Sequence, residues 1–200
     1  RWLSDWSSDV CSSDLMARNF VPGVEIVLGY GAYLNQKGLL NRLITYDSLF
    51  IALKYSGFAK SGKPYMGVGR NMAYNKAVFY RNDGFVPNLQ FPSGDDDLFV
   101  NRAATRSNTR IESSLSSITW SEPNISLRRW FYQKERHFSV SSHYSLKSKI
   151  SLITEPISRG LFYSGFVFSL LSFISDGYLI VAGVIMMLFL LRFILQLIVI

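Results

Sequence analysis

"GLFYSGFVFSLLSFISDGYLIVAGVIMMLFLLRFILQLIVI", Gly160 to Ile200, sets the organisation of the chain, because its only charged residues are Asp176 and Arg192. A membrane-spanning helix needs about 20 predominantly apolar residues. The run from Tyr178 to Ile200 reaches that length alone, and the run from Gly160 to Ile174 reaches it with neighbours such as Ile157 and Ser158. Between them, Ser175-Asp176-Gly177 is a turn signal. The pattern predicts two transmembrane helices, about 157–176 and 178–200, in a region 151–200 that follows a soluble part 16–150. A buried helical hairpin in a soluble core is the competing reading, and it fits the second run poorly because that run is apolar on every face.

Charge supplies the orientation. Arg128, Arg129, Lys134, Arg136, Lys147, Lys149 and Arg159 precede the apolar pair, and no basic residue lies between its two runs. Positive residues stay on the cytoplasmic side. Residues 16–150 are therefore expected in the cytoplasm of an integral membrane protein, with the Ser-Asp-Gly turn outside. Arg192, costly inside hydrocarbon, is expected near the cytoplasmic face. The basic surplus clusters beside the membrane segment, where it suits anionic lipid. No recognition motif for nucleic acid accompanies it, so membrane lipid is the expected partner and nucleic acid is not.

The N-terminus reads differently. "SDWSSDVCSSDL", Ser4 to Leu15, has no hydrophobic period and resembles the conceptual translation of a common sequencing adapter. Residues 1–15 are set apart as not native, which makes the remainder an expected piece of a longer protein. A disordered acidic tail is the plainer alternative. Without residues 1–15 the chain keeps 20 basic and 11 acidic residues, a net charge of +9, and loses its only cysteine, Cys11. Disulfide and thiol chemistry leave with it.

Residues 16–150 alternate strand and helix signals. "VEIVLGYG", Val24 to Gly31, is a short apolar run ended by glycines, as in a buried strand. "KGLLNRLITYDSLFIALKYSGF", Lys37 to Phe58, repeats apolar residues at helical spacing, with Gly57 placed to end it. A glycine-rich loop, Gly62 to Tyr74, follows. Further helices are expected over 96–106 and 126–138, joined by a Ser/Thr-rich connection. The fold class is α/β.

Three stretches can carry chemistry. "SGDDDL", Ser93 to Leu98, puts Asp95, Asp96 and Asp97 side by side, and Ser93 three places before Asp96 is a helix-start signal whose dipole favours acids. That explains one or two carboxylates better than three. "GVGRNMAY", Gly67 to Tyr74, allows close backbone approach at Gly69 but lacks the lysine of a phosphate loop. "QKERH", Gln133 to His137, sits on a basic helix of the kind that lines a membrane surface. His137 and His143 are too isolated for a zinc site.

In order and spacing these stretches resemble the C-terminal half of a membrane-anchored family 2 glycosyltransferase of the processive-synthase-like group. The resemblance covers residues 20–200. It implies a partial GT-A, Rossmann-like domain followed by transmembrane helices. It also implies an inverting transfer from a nucleotide-sugar donor to a glycan or lipid-linked acceptor at the membrane, in cell-envelope polysaccharide synthesis at a bacterial inner membrane. Asp95 then corresponds to the general base, with Asp96 the alternative. Gln133 and Arg136, with His137 at the tryptophan position, correspond to a Gln-x-x-Arg-Trp motif beside the donor diphosphate, and all three are expected to bind substrate or diphosphate. Gly69, Arg70 and Asn71 would shape the diphosphate and acceptor pocket, with Asp97 beside it. Two departures stand out: Gly94 replaces the family's glutamate, and His137 replaces its tryptophan. The family's divalent cation, Mg or Mn, is held by an Asp-x-Asp motif upstream of residue 16, so this piece alone is expected to be inactive. Two rival readings use the same residues. One is a metal-dependent membrane phosphoester hydrolase with the triplet as ligands; the other is a non-catalytic membrane protein with the triplet as a cap.

Overall fold

The computed structural model describes residues 10–88, 90–91, 93–124 and 126–199. The chain divides into two compact units between Ser148 and Lys149. The first is mixed α/β: α1 (Val10–Arg18), β1 (Ile26–Leu28), β2 (Gly31–Tyr33), α2 (Leu39–Lys60), β3 (Met72–Tyr74), α3 (Lys76–Arg81), α4 (Asp95–Ala103), β4 (Thr109–Ile111), β5 (Thr119–Ser121) and α5 (Leu127–Ser141). Of the stretch set apart at the N-terminus, residues 1–9 lie outside the described residues and 10–15 open α1, whose Met16 is buried.

β1 is the centre of a three-stranded sheet. It runs antiparallel to β3 and parallel to β4, so Val27 faces Ala73 on one side and Arg110 on the other. Its three residues are fully buried, as expected of a short continuous apolar run. The strand is shorter than the expected 24–31 because the chain crosses to a second sheet at Gly29. A Cβ there would come within 2.7 Å of the Asn71 side chain. Beyond it, β2 pairs in parallel with β5.

α2 covers this junction with Ile44, Ala52 and Tyr55, and the Tyr55 hydroxyl donates to the Gly29 carbonyl at 2.5 Å. The helix does not end at Gly57. Gly62, at φ +82°, is the left-handed residue; its N–H reaches Ala59 O and the next N–H, of Lys63, reaches Phe58 O at 2.9 Å. That is a Schellman closure, which satisfies the last carbonyls five residues beyond the glycine that composition indicated. Tyr74, Phe79, Phe85 and Phe99 form an aromatic cluster with centroids 4.9–6.4 Å apart, joining β3, α3 and α4.

The second unit consists of two helices. α6 (Leu146–Ser175) begins in the first unit and continues through Pro156, and α7 (Leu179–Val199) follows the turn. α6 begins at Leu146, ahead of the expected span of about 157–176. Pro156 removes one helical N–H, yet the Thr154 and Ser158 hydroxyls on either side bond back to helix carbonyls. Among the described residues, α6 is the one helix long and apolar enough to cross a membrane, and none of its residues is buried. α7 is apolar over Leu179–Leu195 and stacks Phe189 on Phe166 at 4.1 Å. Gly177, at φ +81°, closes α6 as Gly62 closes α2.

Candidate functional site

Three separate pieces of sequence meet in the first unit: the loop Gly67–Asn71, the start of α4, and α5. Gly94 makes the meeting possible. It caps α4 in the left-handed conformation, φ +84° and ψ 20°, with no side-chain cap bond. Ser93 is therefore not the cap: its hydroxyl is buried without a partner among the described residues. The reason is local, since a left-handed Gly94 turns the chain so that the helix starts one residue earlier than 96. A Cβ at 94 would stand 2.5 Å from Val140 Cγ2 on the last turn of α5. The glutamate expected from the resemblance has no room here.

The three aspartates go three ways. Asp95 is exposed, and its carboxylate has no hydrogen-bond partner among the described residues. Asp96 accepts the Gly69 N–H at 2.6 Å on one oxygen and the Asp97 N–H at 3.0 Å on the other. Asp97 points inward and is 3% exposed. Burial, and next the neighbouring Asp96 charge, push its pKa well above the ordinary carboxylate range, while the Tyr144 hydroxyl and the Gly67 N–H pull it back. Asp97, expected beside the substrate, is thus a buried structural carboxyl. The three carboxylates therefore do not converge on one point.

Asn71 is a second correction. It is buried, and its Nδ2 donates to Tyr30 O at 2.9 Å and Ser117 O at 2.7 Å. Both donors hold the two sheets together, so none remains for a ligand. Gly69 has likewise committed its N–H to Asp96, and a side chain there would sit 2.9 Å from that carboxylate.

Arg70 instead turns outward. Its Nη1 donates to Ala32 O at 3.2 Å and its guanidinium lies over the Tyr33 ring at 4.0 Å. There it joins one face of α5, where residues three, four and seven apart are neighbours. Arg70, Gln133 and Arg136 line an open cleft of about 720 Å³ with Tyr33, Ser121, Glu122, Asn124, Arg128, Arg129 and Tyr132. Gln133 is oriented on both sides: its Oε1 accepts from Asn124 and its Nε2 reaches the Tyr33 hydroxyl at 3.4 Å. Arg136 Nε is buried with no hydrogen-bond partner among the described residues. Lys134 pairs with Asp47 of α2 and so fastens the opposite face of α5.

His137 adjoins the acids. It is exposed by surface area, yet protein around the ring lowers its pKa by desolvation, outweighing the opposing attraction of Asp96; Arg136, Lys134 and Arg70 add to the lowering. The imidazole therefore favours its neutral form. Asp95, Asp96 and His137 lie outside the set of residues lining the cleft.

Chemically, the cleft can bind an anion: guanidinium groups match phosphate oxygens with paired, charge-assisted hydrogen bonds. Among the described residues no group of three His, Cys, Asp or Glu side chains could hold a metal ion. No family model matches the chain, and neither a curated protein nor a solved structure matches it.

Tyr33, Ser121, Glu122 and Asn124 were not anticipated. β2 and β5, which carry or adjoin them, are three residues each, too short for a periodic signal. Arg128 and Arg129 were visible only as part of the basic stretch.

Proposed function

We propose first a class: a mixed α/β domain joined to a membrane helix, with an arginine-lined, anion-binding cleft and, outside that lining, an exposed carboxylate. Within that class we infer a membrane-anchored, GT-A-like, inverting family 2 glycosyltransferase, of which this chain is the C-terminal part, with the α/β unit in the cytoplasm and α6 and α7 spanning the membrane. One observation carries the reading. The three motif segments, far apart in sequence, are joined by the Asp96 to Gly69 bond, by Gly94 against Val140, and by the shared cleft of Arg70, Gln133 and Arg136.

The roles follow from the contacts. Asp96 braces the loop, and Asp95 keeps a free carboxylate; Asp95 is the proton acceptor. It takes the proton of the acceptor hydroxyl as that oxygen forms a bond to the anomeric carbon. The bond from that carbon to the donor diphosphate breaks, and the electron pair leaves with the diphosphate. Arg136, with its unpaired Nε, and Gln133 receive the departing charge. A single displacement of this kind inverts the anomeric centre. The nucleotide sugar and a glycan or lipid-linked acceptor are the substrates. Among the described residues no three-residue cluster could hold Mg or Mn.

The test uses the complete gene product in membranes with radiolabelled nucleotide sugars. Asp95→Asn is expected to reduce transfer at least about 100-fold while nucleotide binding persists. Transfer at the wild-type rate by Asp95→Asn would overturn the assignment.

A further inference from the structure

The cleft holds more positive charge than one diphosphate uses. Its lining includes four guanidinium groups, of Arg70, Arg128, Arg129 and Arg136, against a single carboxylate, Glu122. No ion pair reaches any of the four among the described residues. Arg70 is spoken for by the Ala32 carbonyl and the Tyr33 ring, and Arg136 serves the donor diphosphate in the reading above. Arg128 and Arg129 remain. They stand in the first turn of α5, which contains no acidic residue. Cations there oppose the helix dipole and cost stability, so they raise the local positive potential instead of relaxing it.

Distance separates them from the donor end. Arg129 and Arg136 are seven residues apart on one face of α5, about 10 Å along the axis. Tyr132 lies between them on the same wall and offers a hydroxyl. Glu122, the one carboxylate in the lining, disfavours a negative group close to it and thereby restricts how an anion sits.

We propose that Arg128, Arg129 and Tyr132 form a second anion subsite, and that the acceptor substrate carries a phosphate ester or diphosphate seated there. The proposal rests on the transferase reading for the word acceptor, but the subsite itself does not. A phosphate-bearing acceptor has two sources: a lipid-linked diphosphate held in the bilayer, or a water-soluble sugar phosphate. Arg128 and Arg129 clamp the phosphate oxygens, and the acceptor chain extends from them toward the Arg136 end.

The experiment needs no sugar transfer. The full chain is reconstituted in phosphatidylcholine nanodiscs and titrated calorimetrically with inorganic pyrophosphate, and separately with farnesyl diphosphate in the same discs. Arg128→Gln with Arg129→Gln is expected to weaken pyrophosphate binding about tenfold, the worth of one lost charged hydrogen bond. Arg136→Gln is expected to leave a residual affinity that the double substitution still reduces. Arg128→Lys with Arg129→Lys keeps the charge and is expected to keep most of the binding, which separates charge from misfolding; thermal melts of each variant complete that control. A preference for farnesyl diphosphate that depends on Arg128 and Arg129 supports the subsite and assigns the lipid source, and equal affinity supports it with the soluble source. Wild-type pyrophosphate affinity in the double glutamine variant overturns the proposal. So does complete loss of binding in Arg136→Gln alone, which would leave one site. If the subsite holds but the complete protein never transfers sugar, the transferase reading fails separately.

Discussion

Replacing Gly94 by alanine tests how the site is held together. Two costs add. An L-residue at φ +84° occupies the left-handed region, worth about 1–2 kcal/mol. The new Cβ would meet Val140 Cγ2 at 2.5 Å and Cγ1 at 2.6 Å. Val140 is 2% exposed, so it cannot swing into solvent, and overpacking of this kind costs about 1–3 kcal/mol. The sum, about 2–5 kcal/mol, corresponds to a fall in melting temperature of about 4–20 °C for a chain of this length. The two terms separate in a double-mutant cycle. Val140→Ala removes the obstructing methyls, so in Gly94→Ala/Val140→Ala the crowding term returns while the backbone term stays. The expected signature is a favourable coupling of about 1–3 kcal/mol. Thermal melts of the full chain in detergent, followed by circular dichroism, read all four variants. A melt of Gly94→Ala within about 2 °C of the parent, or strictly additive effects, would show that α4 and α5 do not meet through this pair.

Asp97→Asn should stabilise the chain at neutral pH. The folded carboxyl keeps its proton to higher pH than the unfolded one, so over that interval the native state binds more protons and stability falls as pH rises, by at most about 1.4 kcal/mol per pH unit. Melts across pH 4 to 8 should show that slope flattened in the variant, and parallel curves would reject it. Asn71→Asp keeps the shape beneath Gly29 but presents a carboxylate to the Tyr30 and Ser117 carbonyls; losing both donors should cost about 2–6 kcal/mol, and an unchanged melt would remove Asn71 from the junction of the sheets. The His137 ring, whose pKa is lowered by burial, should titrate by NMR below the ordinary histidine value of about 6.5. Stability should then rise with pH through that window, because the unfolded state binds the extra proton; a midpoint above the ordinary value would reverse the sign.

The long signals were legible. The helical spacing from Lys37 to Phe58 became α2, the apolar run at Val24 became β1, and the charged stretch after Ser126 became α5 with the Ser126 hydroxyl accepting the Arg129 N–H. What escaped was short or non-local. β3, β4 and β5 are three residues each, and α3 announces itself only through Asn75, whose side chain caps Val78 N–H at 2.8 Å. The site divided in the same way. Arg70, Gln133 and Arg136 line one cleft. Asn71 and Asp97 did not, because a polar residue type says nothing of which way its neighbours turn it. In both cases the partners that claim it are separated from it by more than forty positions, Ser117 for Asn71 and Tyr144 for Asp97.

The bond between Asp96 and Gly69 also bears on how such sequences diverge. The same oxygen that accepts the Gly69 N–H at 2.6 Å would lie 2.9 Å from any Cβ at that position. While an aspartate occupies 96, a side chain at 69 must push that carboxylate aside and loosen its bond; once 96 shortens to serine or alanine, the demand for glycine eases. The two positions form one inherited character. Descendants of this chain should exchange them together or keep both, and their joint variation would carry information that neither column holds alone.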